Sequence, residues 1–419
     1  MIFGCLTAIA FSDRPPPLTL GVAAGVALVT VLAVALASYD AVALLGTVLL
    51  GVVFFEPAPP DAVFLVGMAV AAVTGRFALR RVPLSIGLLL GTFLVLNLLA
   101  AIYAVDAVRA ARFFLITLYL AIFSVWLTGY VDSPKRARLL VRGILFAALT
   151  SSVIGSVAVF THTGFLLKAG RAKALFKDSN VLAPFLVFAA LIVIDELIEP
   201  RLLRARRSTK IAIFLVLSIG ILLAYSRAAW LNVVVGMFTL LLVYVLRRGG
   251  GGGATRLLAV ILTALAVAVG TIAVTNSYAL LRERAHAHQS YDTQRFAGQA
   301  AGIRLAGAYP LGIGPGQFEK TVGIAAHSTY VRALAEEGIL GLVVVLALMG
   351  VTLLMAGQNV ILGSNTYGIG SAPLLATWCG ILVNSAFVDT VHWRHFWVVA
   401  ALIWISAMRR PESIEAPGV

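Results

Sequence analysis

Residues 84–103 read LSIGLLLGTFLVLNLLAAIY, twenty residues without a charge. Wound as an α-helix, a run of this length rises about 30 Å, the thickness of the bilayer hydrocarbon. A helix also pairs every backbone polar group internally, which lipid demands. The same pattern recurs along the chain, with expected spans at 18–37, 40–55, 61–75, 84–103, 112–130, 139–160, 181–198, 210–225, 228–246, 255–275, 331–355, 371–389 and 395–408. The first three are short or closely joined, so the expected number is twelve or thirteen. The fold class is therefore an all-α polytopic membrane protein.

Composition agrees. Of 419 residues, 61% are hydrophobic and 12% charged, about half the charged share of a soluble domain. The +14 net charge suits basic loops held against anionic lipid better than nucleic-acid binding. Cys5 and Cys379 lie in apolar segments, at a spacing that fits neither a disulfide framework nor a metal cage. The start, MIFGCLTAIAFSDRPPP, lacks the basic opening and small-residue cleavage site of a signal peptide. No internal repeat of the kind common in transporters is visible.

Lysine and arginine orient the spans. One set of alternate loops carries Arg76, Arg80 and Arg81; Lys135, Arg136, Arg138 and Arg142; Arg201, Arg204, Arg206, Arg207 and Lys210; Arg247, Arg248 and Arg256; and Arg409 and Arg410. This side is expected to be cytoplasmic. It includes the pentaglycine Gly249–Gly253, read as a flexible linker. Two loops on the other side break the rule: 161–180, with Lys168, Arg171, Lys173 and Lys177, and 276–330, with Arg282, Arg284, Arg295, Arg304 and Lys320. Cations placed against topology fit an anionic ligand, although long loops also cross regardless of charge. The expected division is 1–275 for about ten helices, 276–330 for a large outer loop, and 331–419 for about three more helices.

Several outer residues could carry chemistry. Arg227, in LLAYSRAAWLNVV, sits where one span turns directly into the next. An arginine there can hold a phosphate through two parallel hydrogen bonds, or snorkel to the interface. His327 ends the long outer loop in GIAAHSTYVRALAEEGILGL, and an imidazole has the affinity of a general base near neutral pH, although a lone histidine is more often structural. Between them YPLGIGPGQF, 309–318, must be a tight irregular turn, expected to fold the loop back towards the membrane. It lacks the Lys-Ser/Thr of a phosphate-binding P-loop. His286 and His288 lack companions at metal spacing, so no metal is expected. Asp178 and Asn180 precede a span and could cap it. Trp393, Trp397 and Tyr330 fit an interfacial aromatic belt.

Four stretches, in order, resemble the O-antigen ligase and polymerase superfamily: RAKALFKDSNVLAPFLV from Arg171; YSRAAWL around Arg227; QRFAGQAAGIRLAGAYPLGIGPGQF from Gln294; and HSTYVRALAEEGILGL from His327. Ser328, Ser179, Ala174 and Gln299 depart from the family's usual Asn, Pro, Gly and Trp. The resemblance implies a GT-C-like glycosyltransferase. It would move a glycan from undecaprenyl diphosphate to a sugar hydroxyl, on a lipid A-core-like glycolipid or another glycan, at the outer face of the inner membrane. No cofactor or metal and no nucleic-acid partner is implied. His327 would be the general base, with Arg227 and Arg295 stabilising the leaving diphosphate. Arg171, Lys177, Asn180, Tyr330 and Arg304 would contact substrate. The same residues serve a ligase or a repeat-unit polymerase. A flippase for lipid-linked sugar is the non-enzymatic alternative, and it would call for charges through the middle of the bilayer.

Overall fold

A computed structural model describes residues 38–246, 251–275, 282 and 290–409. The expected span at 18–37, Gly249, Gly250, His286 and His288 lie outside the described residues. The described chain is almost wholly helical: α1 Tyr39–Val48, α2 Pro59–Val73, α3 Leu84–Ala101, α4 Ala107–Tyr130, α5 Pro134–Thr161, α6 Ser179–Ile198, α7 Arg207–Leu223, α8 Arg227–Leu246, α9 Gly251–Thr275, α10 Ser290–Ala308, α11 Phe318–Val322, α12 Thr329–Glu336, α13 Gly338–Ile361, α14 Ser371–Asn384 and α15 Arg394–Met408. Two short hairpins interrupt them, β1 Leu167–Lys168 with β2 Arg171–Ala172 and β3 Asn365–Thr366 with β4 Ile369–Gly370. Among the described residues six helices, α3, α4, α5, α6, α8 and α13, are long and apolar enough to cross a membrane, and α1, α2, α14 and α15 are shorter apolar helices. The protein is an all-α polytopic membrane protein.

Local chemistry sets the helix starts. Asp106 caps α4 by accepting from the Arg109 amide at 3.0 Å, and Ser133 caps α5, with Pro134 in the first turn where no amide partner is lost. Asp178 caps α6, as its position ahead of the span led us to expect. Gly251–Gly253, read from sequence as linker, instead form the first turn of α9.

Helices α6 and α15 form the centre. From Leu182 to Ile198 every side chain of α6 is buried, and so is Phe396–Ile405 of α15. Around them α3, α4, α8 and α13 turn leucine, valine and phenylalanine outward. Leu88 is 62% exposed, Phe238 65% and Leu354 67%. A soluble surface would not carry such a belt, whereas lipid covers it at no cost.

Lipid supplies no hydrophobic drive between helices, so close packing and polar contacts hold them. The Ser152 hydroxyl donates to Val216 O at 2.6 Å across α5 and α7, Trp378 Nε1 to Met349 O at 3.1 Å, and Trp404 Nε1 to Thr352 Oγ1 at 3.0 Å. Each such bond contributes about 0.6 kcal/mol and at most about 2 kcal/mol. The belt reading fails for Trp393 and Trp397. Both are buried, and Trp397 Nε1 donates to Val391 O at 2.7 Å.

Basic residues of the expected cytoplasmic loops gather at one end. Lys135 and Arg136 pair with Asp40, Arg138 donates to Leu202 O, Arg256 to Ile198 O, and Lys210 pairs with Glu196. At the opposite end lie 49–58, 102–106, 162–178, 224–226, 309–337 and 385–393. There the sequence reading needs two amendments. The stretch taken as an outer loop carries helices α10 and α11. The span expected at 331–355 is two helices, because Gly338 takes φ +75° and divides α12 from α13.

Candidate active site

The turn 309–318 builds this end. Gly312, Gly314 and Gly316 take φ of +90°, +95° and +72°, a region costly for any residue with a Cβ. The left-handed turns aim successive amides at the end of α12. Ile313 N and Gly314 N donate to Ala335 O and Glu336 O, each at 3.0 Å. Gly316 N and Phe318 N donate to the two Glu336 carboxylate oxygens at 2.8 and 3.0 Å. Burial raises the Glu336 pKa, against the opposing pull of Arg332 and these two amides.

The turn is then strapped to the head of α4. Gln317 exchanges hydrogen bonds with the Asp106 backbone, Lys320 pairs with Asp106 at 2.8 Å, and Arg109 with Glu319 at 2.9 Å. Arg332 of α12 holds the other Glu319 oxygen at 3.0 Å.

His327 ends the segment that follows, at φ +49°. Ser328, which stands where the family usually has asparagine, caps α12 by accepting from Val331 N at 3.3 Å. Thr329 N donates to Ser385 O at 2.8 Å, and the Thr329, Thr390 and Ser385 hydroxyls link in series. The 385–393 turn thus fixes the start of α12, and His327 with it.

The His327 side chain lines a cavity of about 290 Å³. Burial, and then the neighbouring Arg295 charge, lower its pKa below the ordinary 6.5. At neutral pH the ring is therefore uncharged and able to take a proton.

Of the other expected site residues, Lys177 and Asn180 line the same cavity. Arg227 begins α8 and pairs with Asp292 of α10 at 2.5 Å. Its neighbour Ser226 donates to Asn180 Oδ1 at 2.8 Å. Arg295, one turn beyond Asp292, donates to Phe387 O. Gln299, a further turn on, reaches His327 O at 3.4 Å and Ala386 O at 3.3 Å. Helix α10 therefore touches Arg227 at its start and the His327 neighbourhood one to two turns later. Neither arginine lines the cavity. Arg171 lies on β2, 4.0 Å from Asp178. The Tyr330 hydroxyl donates to Leu382 O at 2.8 Å, and Arg304 is exposed about 13 Å further along α10 than Arg295.

The cavity also takes Glu319, Arg332, Asp389, His392, Trp393, Arg394 and His395. Sequence reasoning gave these no part in the site, and read Trp393 as belt. The available signal was VDTVHWRHF, 388–396, five polar or charged side chains packed between two apolar runs. Asp389 Oδ2 bonds His392 Nδ1 at 2.7 Å and lies 3.4 Å from Arg332 Nε. Against the burial that would raise it, these partners hold the Asp389 pKa well below the usual carboxylate range. Arg394 grips Asp61 with two nitrogens, the first at 2.6 Å. Among the described residues no three His, Cys, Asp or Glu side chains stand together as metal ligands do.

No curated protein matches the chain. A family model described as O-Antigen ligase matches residues 212–346, from the middle of α7 into α13. That stretch contains Arg227, Arg295, the glycine turn, His327 and the Glu336 that binds the turn, so over about a third of its length, the part that builds this site, the membrane chain is similar to the O-antigen ligase family.

Proposed function

We propose that the protein transfers a glycan from undecaprenyl diphosphate to a sugar hydroxyl at the outer face of the bacterial inner membrane. The observation that carries this is His327, an uncharged imidazole lining an open cavity beside the Arg295 guanidinium, at the end away from the basic loops. The acceptor oxygen attacks the anomeric carbon as His327 takes its proton. The bond from that carbon to the diphosphate oxygen breaks, and undecaprenyl diphosphate leaves. Direct displacement inverts the anomeric centre.

Negative charge develops on the leaving diphosphate. Arg227 and Arg295, one paired with α10 and the other on it, are the cations assigned to it, with Arg171 as the next candidate. Fixed guanidinium groups supply this stabilisation without a metal. Lys177 and Asn180 contact substrate from the cavity wall. In reconstituted transfer of a lipid-linked glycan, His327→Ala and Arg227→Ala should each lower kcat about 10²-fold or more. Near wild-type turnover in both variants, correctly inserted, refutes the scheme. Deletion of the gene identifies the acceptor: lipid-linked polymer accumulates if the enzyme is a ligase, single repeat units if it is a polymerase.

A further inference from the structure

Resting on the transferase reading above, the geometry points to the His327 cavity as the subsite for one neutral sugar ring of the acceptor, the donor diphosphate lying outside it. Charge is the first argument. The lining holds three cations, Lys177, Arg332 and Arg394, against four carboxylates, Glu56, Asp178, Glu319 and Asp389. Both guanidinium groups are already engaged, Arg394 by Asp61 and Arg332 by Glu319 and Asp389. A diphosphate entering here would find both lining guanidinium groups already committed to carboxylates. The two arginines assigned to it, Arg227 and Arg295, lie outside the lining.

Polar complementarity is the second. Asp389 Oδ1 and His395 Nε2 are buried and have no hydrogen-bond partner among the described residues. His392, its Nδ1 held by Asp389, has no partner for Nε2 among the described residues. An ionised carboxylate oxygen asks for a donor, and a ring nitrogen accepts or donates according to its tautomer. Sugar hydroxyls do both, whereas the oxygens of an ionised diphosphate only accept. Leaving such atoms unpaired is costly, so a ligand that pairs them gains selectivity over one that does not.

Shape is the third. At about 290 Å³ the cavity has room for a sugar ring. Trp393, stacked on His395 with ring centres 4.9 Å apart, offers an apolar wall for the C–H face of a pyranose. His327 then stands where the subsite opens towards Arg295, between acceptor hydroxyl and leaving group.

The test uses full-length protein in nanodiscs and saturation-transfer NMR with the methyl glycosides of glucose, galactose, mannose and N-acetylglucosamine, and inorganic pyrophosphate as anionic probe. At least one glycoside should bind with a millimolar Kd. Asp389→Asn, His392→Gln and Trp393→Phe should each weaken it about tenfold, and pyrophosphate should not displace it. Trp393→Phe keeps an aromatic wall should the polar variants fail to fold. In the transfer assay, His392→Gln should raise the acceptor KM and leave the donor KM unchanged. Displacement by pyrophosphate, or no glycoside bound at tens of millimolar, overturns the assignment. His327-dependent transfer with an unmoved acceptor KM in His392→Gln sinks the subsite alone. Glycoside binding without any transfer sinks the transferase reading and leaves a sugar site.

Discussion

Replacing Gly312 by alanine should loosen the whole segment that presents His327. Gly312 sits at φ +90°, and an added Cβ would lie 2.3 Å from Glu336 O, 2.6 Å from the same carbonyl carbon and 2.7 Å from Gly338 N. All three are backbone atoms at the α12–α13 junction, so no side chain can swing aside. The left-handed conformation costs an L-residue roughly 1–2 kcal/mol, and overpacking of a tight contact about 1–3 kcal/mol. The sum, about 2–5 kcal/mol, favours the opened turn by a factor of at least ~30. Hydrogen exchange reads this directly at the amides of Ile313 and Gly314, which donate to Ala335 O and Glu336 O. In nanodisc-embedded protein both should exchange about 30-fold faster or more, and transfer should fall in parallel. Gly307→Ala is the control. It meets nothing within 4 Å in the last turn of α10 and should be neutral, or stabilise by up to about 1 kcal/mol. Wild-type exchange in Gly312→Ala would mean that the turn is not packed on the end of α12 in the way described.

Two further outcomes follow from the charges. A general base works in its neutral form, and the His327 pKa is lowered by burial and then by Arg295, so kcat should hold above pH 6.5 and fall as pH drops through the lowered value. Arg295→Gln removes one cause of the lowering and should move this acid limb upward, towards 6.5, in a pH–rate profile; a limb that stays put disconnects Arg295 from the imidazole. At the other end, Lys210 Nζ donates to Glu196 Oε2 and to Glu196 O, each at 2.9 Å, with both side chains about 5% exposed or less. Lys210→Met takes the counter-cation from a buried carboxylate that the Arg201, Leu202 and Leu203 amides still hold, and should cost up to about 3 kcal/mol in thermal unfolding, while transfer per folded molecule stays unchanged.

The helices were legible because lipid imposes a single rule, an uncharged run long enough to span. Hydropathy is blind to the backbone, however, and so it merged α12 with α13. Nothing in ALAEEGILGL marks a break except Gly338, which becomes informative only once Pro310 O is seen 2.2 Å from where its Cβ would stand. His327, Lys177 and Asn180, read from the sequence as a general-base candidate, a cation against topology and a possible cap, line one cavity, although the cap is Asp178, to which the Asn180 amide donates. Asp389, His392 and Arg394 were passed over because the expected spans ended at 389 and resumed at 395, leaving TVHWR, 390–394, as connection. Their meaning lies in contacts across more than 50 residues of chain, Arg332 to Asp389 and Asp61 to Arg394, which no local pattern contains.

Long-range contacts also explain why the segment that carries His327 can sit at one end of the helix bundle and still be placed firmly. His327 belongs to neither central helix. Its position is set by two clamps of different chemistry. One is ionic and faces water: Asp106, Arg109 and Lys320 tie the glycine turn to α4, and Arg332 carries the hold through Glu319 to α12. The other is neutral and buried: Ser385, Thr329 and Thr390 join α12 to the connection between α14 and α15. Salt screens exposed ion pairs and leaves buried hydroxyl bonds untouched. High ionic strength should therefore loosen the ionic part of the α4 strap while α12 stays docked.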